Sequence, residues 1–528
     1  MPAARSPFPL RALPGLRRIG SDSGPWPLYA SSAARALEAA ALARHAPGEL
    51  MERAGLAVAR LARALVPQAR LVEIWCGPGN NGGDGHVAAR LLHEAGTAVR
   101  LVECADAARL PPDAAAARRR AIAVGLTILS VESAQAASDK PDLVIVGLLG
   151  LGAARPAAGL LAQAIDCINR RGVPVLAVDL PTGLHPDSGQ PLGAAVRADV
   201  TLALLSLKPG LYTGHGRDLA GTVWLDTLDA GPGNVRLAVN SGEPIPATAL
   251  TSATALLSGP RRRQRLPHAT HKGRRGDAWV VGGAPGMTGA AWLAARAALA
   301  AGAGRVYLSP LTEAAVETAF DPQRPELMVR AYAVAGATLR ATATAVVGCG
   351  GGDAVRACLP QLLAECPRLV LDADALNHIA REPPLQRLLQ GRATRGQATV
   401  LTPHPLEAAR LLATDTATVQ GDRLAAANTL AERYAAVVVL KGSGSIIAAP
   451  SALARINASG NAALATAGTG DVLAGWLGGL WAQAPGDAPM DIAAAAVWQH
   501  GHAADVVCPG GHAPLLAADL IAALAKNA

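Results

Sequence analysis

The residues best placed to do chemistry gather around two glycine-rich turns and the acids beside them. In Gly468-Thr469-Gly470-Asp471 a glycine turn opens onto a helical stretch, DVLAGWLGGL. Unpaired N–H groups and the helix dipole at such an N-terminus stabilise an anion, for example a phosphoryl group in transit. Asp471, in the first turn, is placed to take a proton from a substrate hydroxyl. Read blandly, the same turn is only a helix start. Upstream, LKGSGS supplies Lys441, Gly442, Ser443, Gly444 and Ser445 after a strand, a set suited to nucleotide phosphates. It lacks the G-x-x-x-x-G-K-[ST] order, so no P-loop is implied. His404 lies between Pro403 and Pro405 at a helix entry with Glu407 in its first turn, as a substrate contact or a structural loop histidine. Asp372 and Asp374 in LDADALN close another strand and either hold magnesium or orient the loop.

The other turn is GPGNNGGDG, Gly77 to Gly85. Glycines let backbone approach a ligand closely, and the helix that follows offers N–H groups to phosphate. Asn80 and Asn81 can donate to phosphate or ribose, and their amide oxygens can ligate a cation. Asp84 either contacts substrate or caps the helix. A second acid, Asp179 in VDLPTG, ends a buried strand, where ligands bind in open α/β sheets, and is a candidate acid/base. Its bland alternative is a cap on the next turn.

These side chains need strands that end beneath them. Hydrophobic runs at Leu71 to Cys76, Val99 to Glu103, Leu143 to Val146 and Val173 to Val178 alternate with helical segments, as in a parallel sheet with crossover helices. The alternation fades between Asp229 and His268 into Pro, Gly, Ser and Thr. It restarts with strands at Ala278 to Val281, Arg305 to Leu308, Ala345 to Val347, Leu369 to Leu371, Thr399 to Leu401 and Val437 to Leu440. The expected organisation is a tail over 1–25, a first domain over 26–230, a linker over 231–260 and a second domain over 261–528. The fold class is α/β, with two dissimilar domains fused.

Composition narrows the function classes. The chain has 528 residues, more than one ordinary core accommodates, and half of them are hydrophobic but only 3% aromatic. Small aliphatic residues must therefore build the cores. The net charge of +8 sits in short clusters, at Arg118 to Arg120, Arg261 to Arg263 and His271 to Arg275, with few aromatics between them. That argues against nucleic acid and for an anionic small molecule. The cysteines are scattered and odd in number without a C-x-x-C pair, so a reducing, cytoplasmic setting is the expectation. Apolar runs are strand-length, and no membrane span is expected. The first twenty residues carry four arginines and no acid, and lack the apolar core of a secretory signal.

Two family resemblances follow from these motifs. From Tyr29 to Asp229, LMERAG, GPGNNGGDG with HVAAR, GLLGLG, VDLPTGL and ADVTLAL…KPGL resemble the YjeF-type N-terminal domain, the NAD(P)H-hydrate epimerases. The resemblance implies a Rossmann-like three-layer αβα domain that holds a hydrated nicotinamide nucleotide beside a potassium ion. Its implied substrate contacts are Asn80, Asn81, Gly82, Gly83, Asp84, the loop Gly150, Leu151, Gly152, Ala153, Ala154, Arg155 and Pro156, and Asp179. Asn81 and Thr182 are the implied potassium ligands. Val146 stands where the family usually has an acid, which predicts weaker potassium binding. Leu151 replaces a usual threonine and Thr182 a usual serine.

From His268 to Leu524, HKGRRG, GGAPGMTGAAWLAARAALAAGAGRV, LDADALN, TPHPLE, LKGSGS and GNAALATAGTGDVLAG resemble the ribokinase-like NAD(P)H-hydrate dehydratases. That resemblance implies a second three-layer αβα domain, using ADP or ATP with magnesium to phosphorylate and then eliminate the C6 hydroxyl of the S hydrate. Ala290, Gly352, His404 and Asp471 are its implied substrate contacts, with Asp471 as base. Lys441 to Ser445 and Gly470 are the implied nucleotide site. Cys349 replaces a common proline, Gly351 an aliphatic residue and Ser445 a threonine. The expected function is repair of hydrated NADH and NADPH, with a homo-oligomer left open. Two alternatives stand beside it. One is a ribokinase-like small-molecule kinase; the other is a dehydratase whose first domain only binds.

Overall fold

The computed structural model describes residues 13, 15–152, 155–231, 252–260, 268–312 and 320–527. The chain divides into two compact units that meet at Leu257 and Ser258. Among the described residues no helix is long and apolar enough to cross a membrane.

The first unit runs β1 (Leu16–Arg18), β2 (Trp26–Leu28), α1 (Ser31–Leu42), α2 (Glu49–Leu65), β3 (Leu71–Cys76), α3 (Asn80–Glu94), β4 (Ala98–Glu103), α4 (Pro112–Ala123), β5 (Ile128–Leu129), α5 (Val131–Ala136), β6 (Leu143–Gly147), α6 (Leu160–Arg170), β7 (Val175–Val178), β8 (Val200–Leu204), α7 (Gly216–Leu219), β9 (Thr222–Asp226) and β10 (Ala255–Ser258). Its main sheet has the order β1-β9-β8-β7-β6-β3-β4-β5. All neighbours in it are parallel except β1 on β9. The chain winds outward from β3 through β4 to β5, then returns to the other side of β3 and winds outward from β6. The crevice for a ligand therefore opens at the carboxyl ends of β3 and β6.

Strand alternation splits the apolar residues between two cores. Val72, Ile74 and Cys76 face one cluster with residues of α2 and α3, while Trp75, Val144 and Val146 face another with residues of α5 and α6. Helices thus cover both faces of the sheet, the arrangement expected for buried parallel strands.

Two segments differ from the sequence expectation. Leu16–Arg18, placed in the tail, adds a strand to the sheet edge. Ala255–Ser258, placed in the linker, pairs antiparallel with Trp26–Leu28. Both are only three or four residues long and borrow their partner from far along the chain, so no local periodicity announces them. Arg261 to Arg265 lie outside the described residues.

The second unit runs β11 (Asp277–Gly282), α8 (Thr288–Ala301), β12 (Arg305–Pro310), β13 (Met328–Val329), α9 (Gly336–Thr342), β14 (Thr344–Val347), α10 (Val355–Glu365), β15 (Arg368–Leu371), α11 (Ala373–Arg381), α12 (Pro383–Gln390), β16 (Ala398–Leu401), α13 (Pro405–Leu412), α14 (Thr416–Gly421), α15 (Arg423–Tyr434), β17 (Val437–Leu440), β18 (Ile446–Ala448), β19 (Ala454–Asn457), α16 (Thr469–Gln483), α17 (Pro489–Val507) and α18 (Ala517–Asn527). The strand order β13-β12-β11-β14-β15-β16-β17-β18-β19 again reverses direction, here between β11 and β14. Strands are parallel through β17, and β18 and β19 close the series antiparallel. Alanines of α8 and tryptophans and leucines of α16 dominate the core on one face.

Candidate functional site

In the first unit the glycine loop works because backbone passes backbone there. A Cβ on Gly77 would sit 1.8 Å from Leu148 O, and one on Gly82 would sit 2.1 Å from Gly77 O. The loop is pressed against the end of β6, which aims the N-terminus of α3 at a cavity of about 380 Å³. Asn80, Asn81, Asp84, Gly150, Leu151, Gly152 and Asp179 all line it, as the sequence suggested. Gly82 and Gly83 lie behind them and serve packing: a Cβ on Gly83 would meet Met51 Sδ at 2.6 Å. Arg155 and Pro156 are exposed outside the lining. Ala153 and Ala154 fall outside the described residues.

Other side chains that line the cavity and carry charge include Glu38 and Arg35 of α1, and Lys208, none of which stands out as a site residue in the sequence. Lys208 is almost wholly buried and forms an ion pair with Asp179 Oδ1. It also donates to Leu204 O at 3.1 Å, while Leu204 N–H donates to Asp179 Oδ1 at 3.2 Å. Asp179 itself sits at φ +66°, a conformation most side chains avoid. This turn aims its second oxygen at the cavity, within 3.3 Å of where a Gly150 Cβ would stand. Burial, reinforced by Asp179 and Glu38, pushes the Asp84 carboxyl well above its ordinary range. Burial first, and Asp179 next, raise Glu38 as well. The site therefore combines a carboxylate held by an ammonium with two acids inclined to keep their protons, the equipment for moving protons on and off one substrate.

Asn81 donates to Val178 O at 3.1 Å, and its amide oxygen is buried with no partner among the described residues. Such an orphaned acceptor fits a cation. The Thr182 hydroxyl is close to the Leu149 backbone, accepting from its N–H at 3.1 Å and donating to its oxygen at 3.2 Å. Val146 is completely buried in the apolar cluster with Trp75 and Val144. Its side chain supplies no oxygen.

In the second unit the strand ends converge on Asp471 in the first turn of α16, which Gly468 opens at φ +87°. Lys441, after β17, pairs with Asp372 Oδ1 at 2.7 Å, and Thr402 Oγ1 donates to the same oxygen at 2.7 Å. Lys441 also reaches Gly470: its Nζ lies 3.4 Å from the Cβ position there. Burial alone would lower Lys441, but Asp372 and Glu407 outweigh it and hold the ammonium above its ordinary value. Burial, with the neighbouring Asp372, lifts Asp471 to about 6. A base at that value is ionised at neutral pH yet basic enough to accept a hydroxyl proton.

The remaining residues surround this centre. Gly442 lies against the buried Arg423, whose guanidinium donates to Leu440 O and Lys441 O, and the Ser445 hydroxyl closes the turn onto Gly442 O at 3.1 Å. Ser443 is exposed and Gly444 buried within it. Ala290 packs on the Gly350 backbone. Gly352 N–H donates to Asp374 at 2.8 Å, so Asp374 orients the loop. Asp372 is likewise committed to Lys441 and Thr402. With the third nearby donor the sulfur of Cys349, the set is a poor cage for magnesium, which prefers oxygens in octahedral array. His404 caps α13: Nδ1 accepts from the N–H groups of Leu406 and Glu407, and Nε2 stands 3.2 Å from Glu407 Oε1. Both ring nitrogens are thus engaged locally. Burial lowers His404 and lifts Glu407 to about 7.

Comparisons with known proteins divide the chain in the same way. Residues 47–210 match the family model for the YjeF-related protein N-terminus, and residues 278–526 match that for NAD(P)H-hydrate dehydratase. The chain is 37% identical over 486 residues to the bifunctional NAD(P)H-hydrate repair enzyme Nnr of Escherichia coli strain K12, covering 90% of this chain and 89% of that one. It is 37% identical over 484 residues to the Coxiella burnetii enzyme of the same name, covering 89% and 93%. Among solved structures, the ADP/ATP-dependent NAD(P)H-hydrate dehydratase from Bacillus subtilis co-crystallised with ATP/Mg2+ is 28% identical, covers 51% of this chain and 93% of its own, and has a TM-score of 0.41. With identity above a third along nearly the whole length of such relatives, the chain belongs to the family of bifunctional NAD(P)H-hydrate repair enzymes.

Proposed function

We propose that the chain repairs hydrated NADH and NADPH in the cytoplasm. In this reading the first unit interconverts the R and S hydrates, and the second dehydrates the S form with ADP or ATP. The observation that carries the reading is Asp471. It is a half-buried base held at about 6, in the first turn of a helix beside the ammonium of Lys441. Asp471 accepts the proton of the C6 hydroxyl as the hydroxyl oxygen takes the terminal phosphoryl group of the nucleotide, and the shortened nucleotide leaves with the electron pair of the broken P–O bond. The amides of Gly470 and its neighbours, with Lys441, hold the charge that develops. Phosphate then leaves with the electron pair of the C6–O bond, and loss of a proton from the adjacent ring carbon restores the double bond. In the first unit Asp179, fixed by Lys208, and Asp84, whose burial favours its protonated form, hold and return protons around the hydrated ring.

The amide oxygen of Asn81 and the hydroxyl of Thr182 are the donors this chain offers to potassium, which would contribute positive charge beside the substrate. Magnesium fits better on the phosphates of the nucleotide than in a protein cage. The test supplies purified protein with mixed R and S hydrates, nucleotide, magnesium and potassium, and follows the reduced-nicotinamide absorbance. Full recovery, lost in Asp471→Asn, supports both activities. Recovery that stops at the S fraction supports the dehydratase but reduces the first unit to binding, and Val146 would then be the residue to blame. Nucleotide consumption with a stable phosphorylated product and no recovery replaces the proposal with a kinase.

A further inference from the structure

The turn from Lys441 to Ser445 joins β17 to β18, and the first residue of α15 fixes it from beneath. Arg423 is only 1% exposed, so its guanidinium sits inside the unit. Its Nη2 donates to Leu440 O at 3.3 Å and to Lys441 O at 3.2 Å, and its Nη1 donates to Gln420 Oε1 of α14 at 2.7 Å. A Cβ on Gly442 would stand 2.9 Å from Nη1, 3.0 Å from Nη2 and 3.2 Å from Cζ. Such similar distances place the guanidinium face-on against Gly442, which holds φ +136°, a conformation open to glycine and to little else. One planar group therefore spans three successive residues of the turn. Asp422 accepts from Ala425 N–H at 2.9 Å, capping α15 and setting where the arginine starts.

The Lys441–Gly442 peptide is trans, and in a trans peptide the C=O and N–H point in opposite directions. Turning the Lys441 carbonyl onto Arg423 thus turns the Gly442 N–H away from it. The next peptide is held in a related way, since the Gly442 carbonyl accepts from the Ser445 hydroxyl at 3.1 Å. Lys441 is committed at its other groups: its N–H donates to Pro403 O at 2.9 Å, and its ammonium to Asp372.

We infer that Arg423 is a positioning residue of the nucleotide site: by holding the Leu440 and Lys441 carbonyls it presents the Gly442 N–H to a phosphate of ADP or ATP. The inference rests on the reading of Lys441 to Ser445 as the nucleotide turn. A Lys441 carbonyl released from Arg423 and turned outward would set partial negative charge against that phosphate. The arginine thus gains the site a donor and spares it a repulsion. Burial lowers Arg423 to about 10, which leaves it charged at neutral pH. Lysine is no substitute, because an ammonium lacks the rigid planar fork that reaches several acceptors in one plane.

The experiment uses the full chain as wild type, Arg423→Lys and Arg423→Met. It measures the dissociation constant of ADP, and the KM of nucleotide and of S hydrate in dehydration. Arg423→Met is expected to weaken ADP by about 10- to 100-fold, the scale of a hydrogen bond to a charged group. The nucleotide KM rises with it and the hydrate KM is unchanged. Arg423→Lys is expected to bind ADP as weakly as Arg423→Met. A Lys variant that binds as wild type does, or a Met variant with unchanged ADP affinity, overturns the inference and leaves the nucleotide turn standing. A loss shared equally by nucleotide and hydrate is the mark of a merely structural arginine and overturns it too. Wild type that binds no ADP removes the reading of the turn and the inference together. Should neither variant fold, wild type supplies the answer. Gly273 and Gly442 are the glycines preceded by a lysine, so carbonyl-labelled lysine with nitrogen-labelled glycine reduces the amide spectrum to those two, and Gly273→Ala tells them apart. On saturation with ADP the Gly442 proton is expected to move downfield as it meets the phosphate. A Gly442 signal that ADP leaves in place overturns the inference.

Discussion

Asp471 is useful because it is uncomfortable. A carboxyl held at about 6 instead of 3.8 binds protons more tightly folded than unfolded. Stability therefore falls as pH rises between those values, and the full penalty, on the order of 3 kcal/mol, applies above the upper one. Asp471→Asn removes the charge and keeps the shape. It is expected to lower dehydration by 10²- to 10⁴-fold, the usual scale of general-base removal, while raising the unfolding midpoint of the second unit at neutral pH. That gain shrinks towards pH 4, and denaturant unfolding at both pH values checks the sign. Lys208 poses the opposite case. Lys208→Met strands Asp179 without its ammonium, and breaking a buried pair costs about 3–5 kcal/mol. Lys208→Met combined with Asp179→Asn is expected to cost less than Lys208→Met alone, and both abolish R-hydrate turnover. At this scale the sequence was legible where chemistry is local. Asp471 and Asp179 advertise themselves beside their turns, whereas Lys208 lies 29 residues from its partner, with only the KPGL stretch to mark it. Glu38 reaches the cavity from a helix that looks ordinary in sequence.

Between elements, the helix carrying Asp471 is placed by absence of side chains. On the face of α16 towards α8, a Cβ at Gly475 would stand 2.0 Å from Ala294 O, and one at Gly479 would stand 2.4 Å from Ala298 O. The facing helix contributes alanines, so the two backbones approach closely and α16 has little room to slide. Gly475→Ala gains helix propensity, up to about 1 kcal/mol, but forces backbone apart, and overpacking of this kind costs about 1–3 kcal/mol. The second term is expected to win: a lower unfolding midpoint, and weaker dehydration because Asp471 rides on the displaced helix. A variant with unchanged activity and higher stability would show that α16 is not held by this contact. The strands and the long helices were legible because periodicity is a local signal. The pairing of Ala255–Ser258 with Trp26–Leu28 was not, because short strands carry too few residues to show alternation and their register depends on a distant partner. The convergence of Cys349, Asp372, Lys441 and Asp471 was likewise hidden, being assembled from three strand ends and a helix.

For the whole molecule, the telling feature is that each unit has its own reversal of strand order and its own site at the carboxyl ends of its strands. Each site draws its described residues from one unit, so the chain carries two self-sufficient centres whose common currency is a small hydrate. If that hydrate leaves one centre and reaches the other through solvent, the two activities need not reside on the same chain. Full-length Asp179→Asn is expected to recover only the S fraction of a mixed hydrate pool. Full-length Asp471→Asn is expected to interconvert R and S with no recovery. Equal amounts of the two variants mixed together are then expected to recover the whole pool, slowed only by dilution of each working site. Absorbance recovery with chiral separation of the remaining hydrate reads all three reactions. If the mixture stalls at the S fraction although each variant keeps its own activity, the hydrate does not exchange between chains, and the fusion itself becomes part of the mechanism.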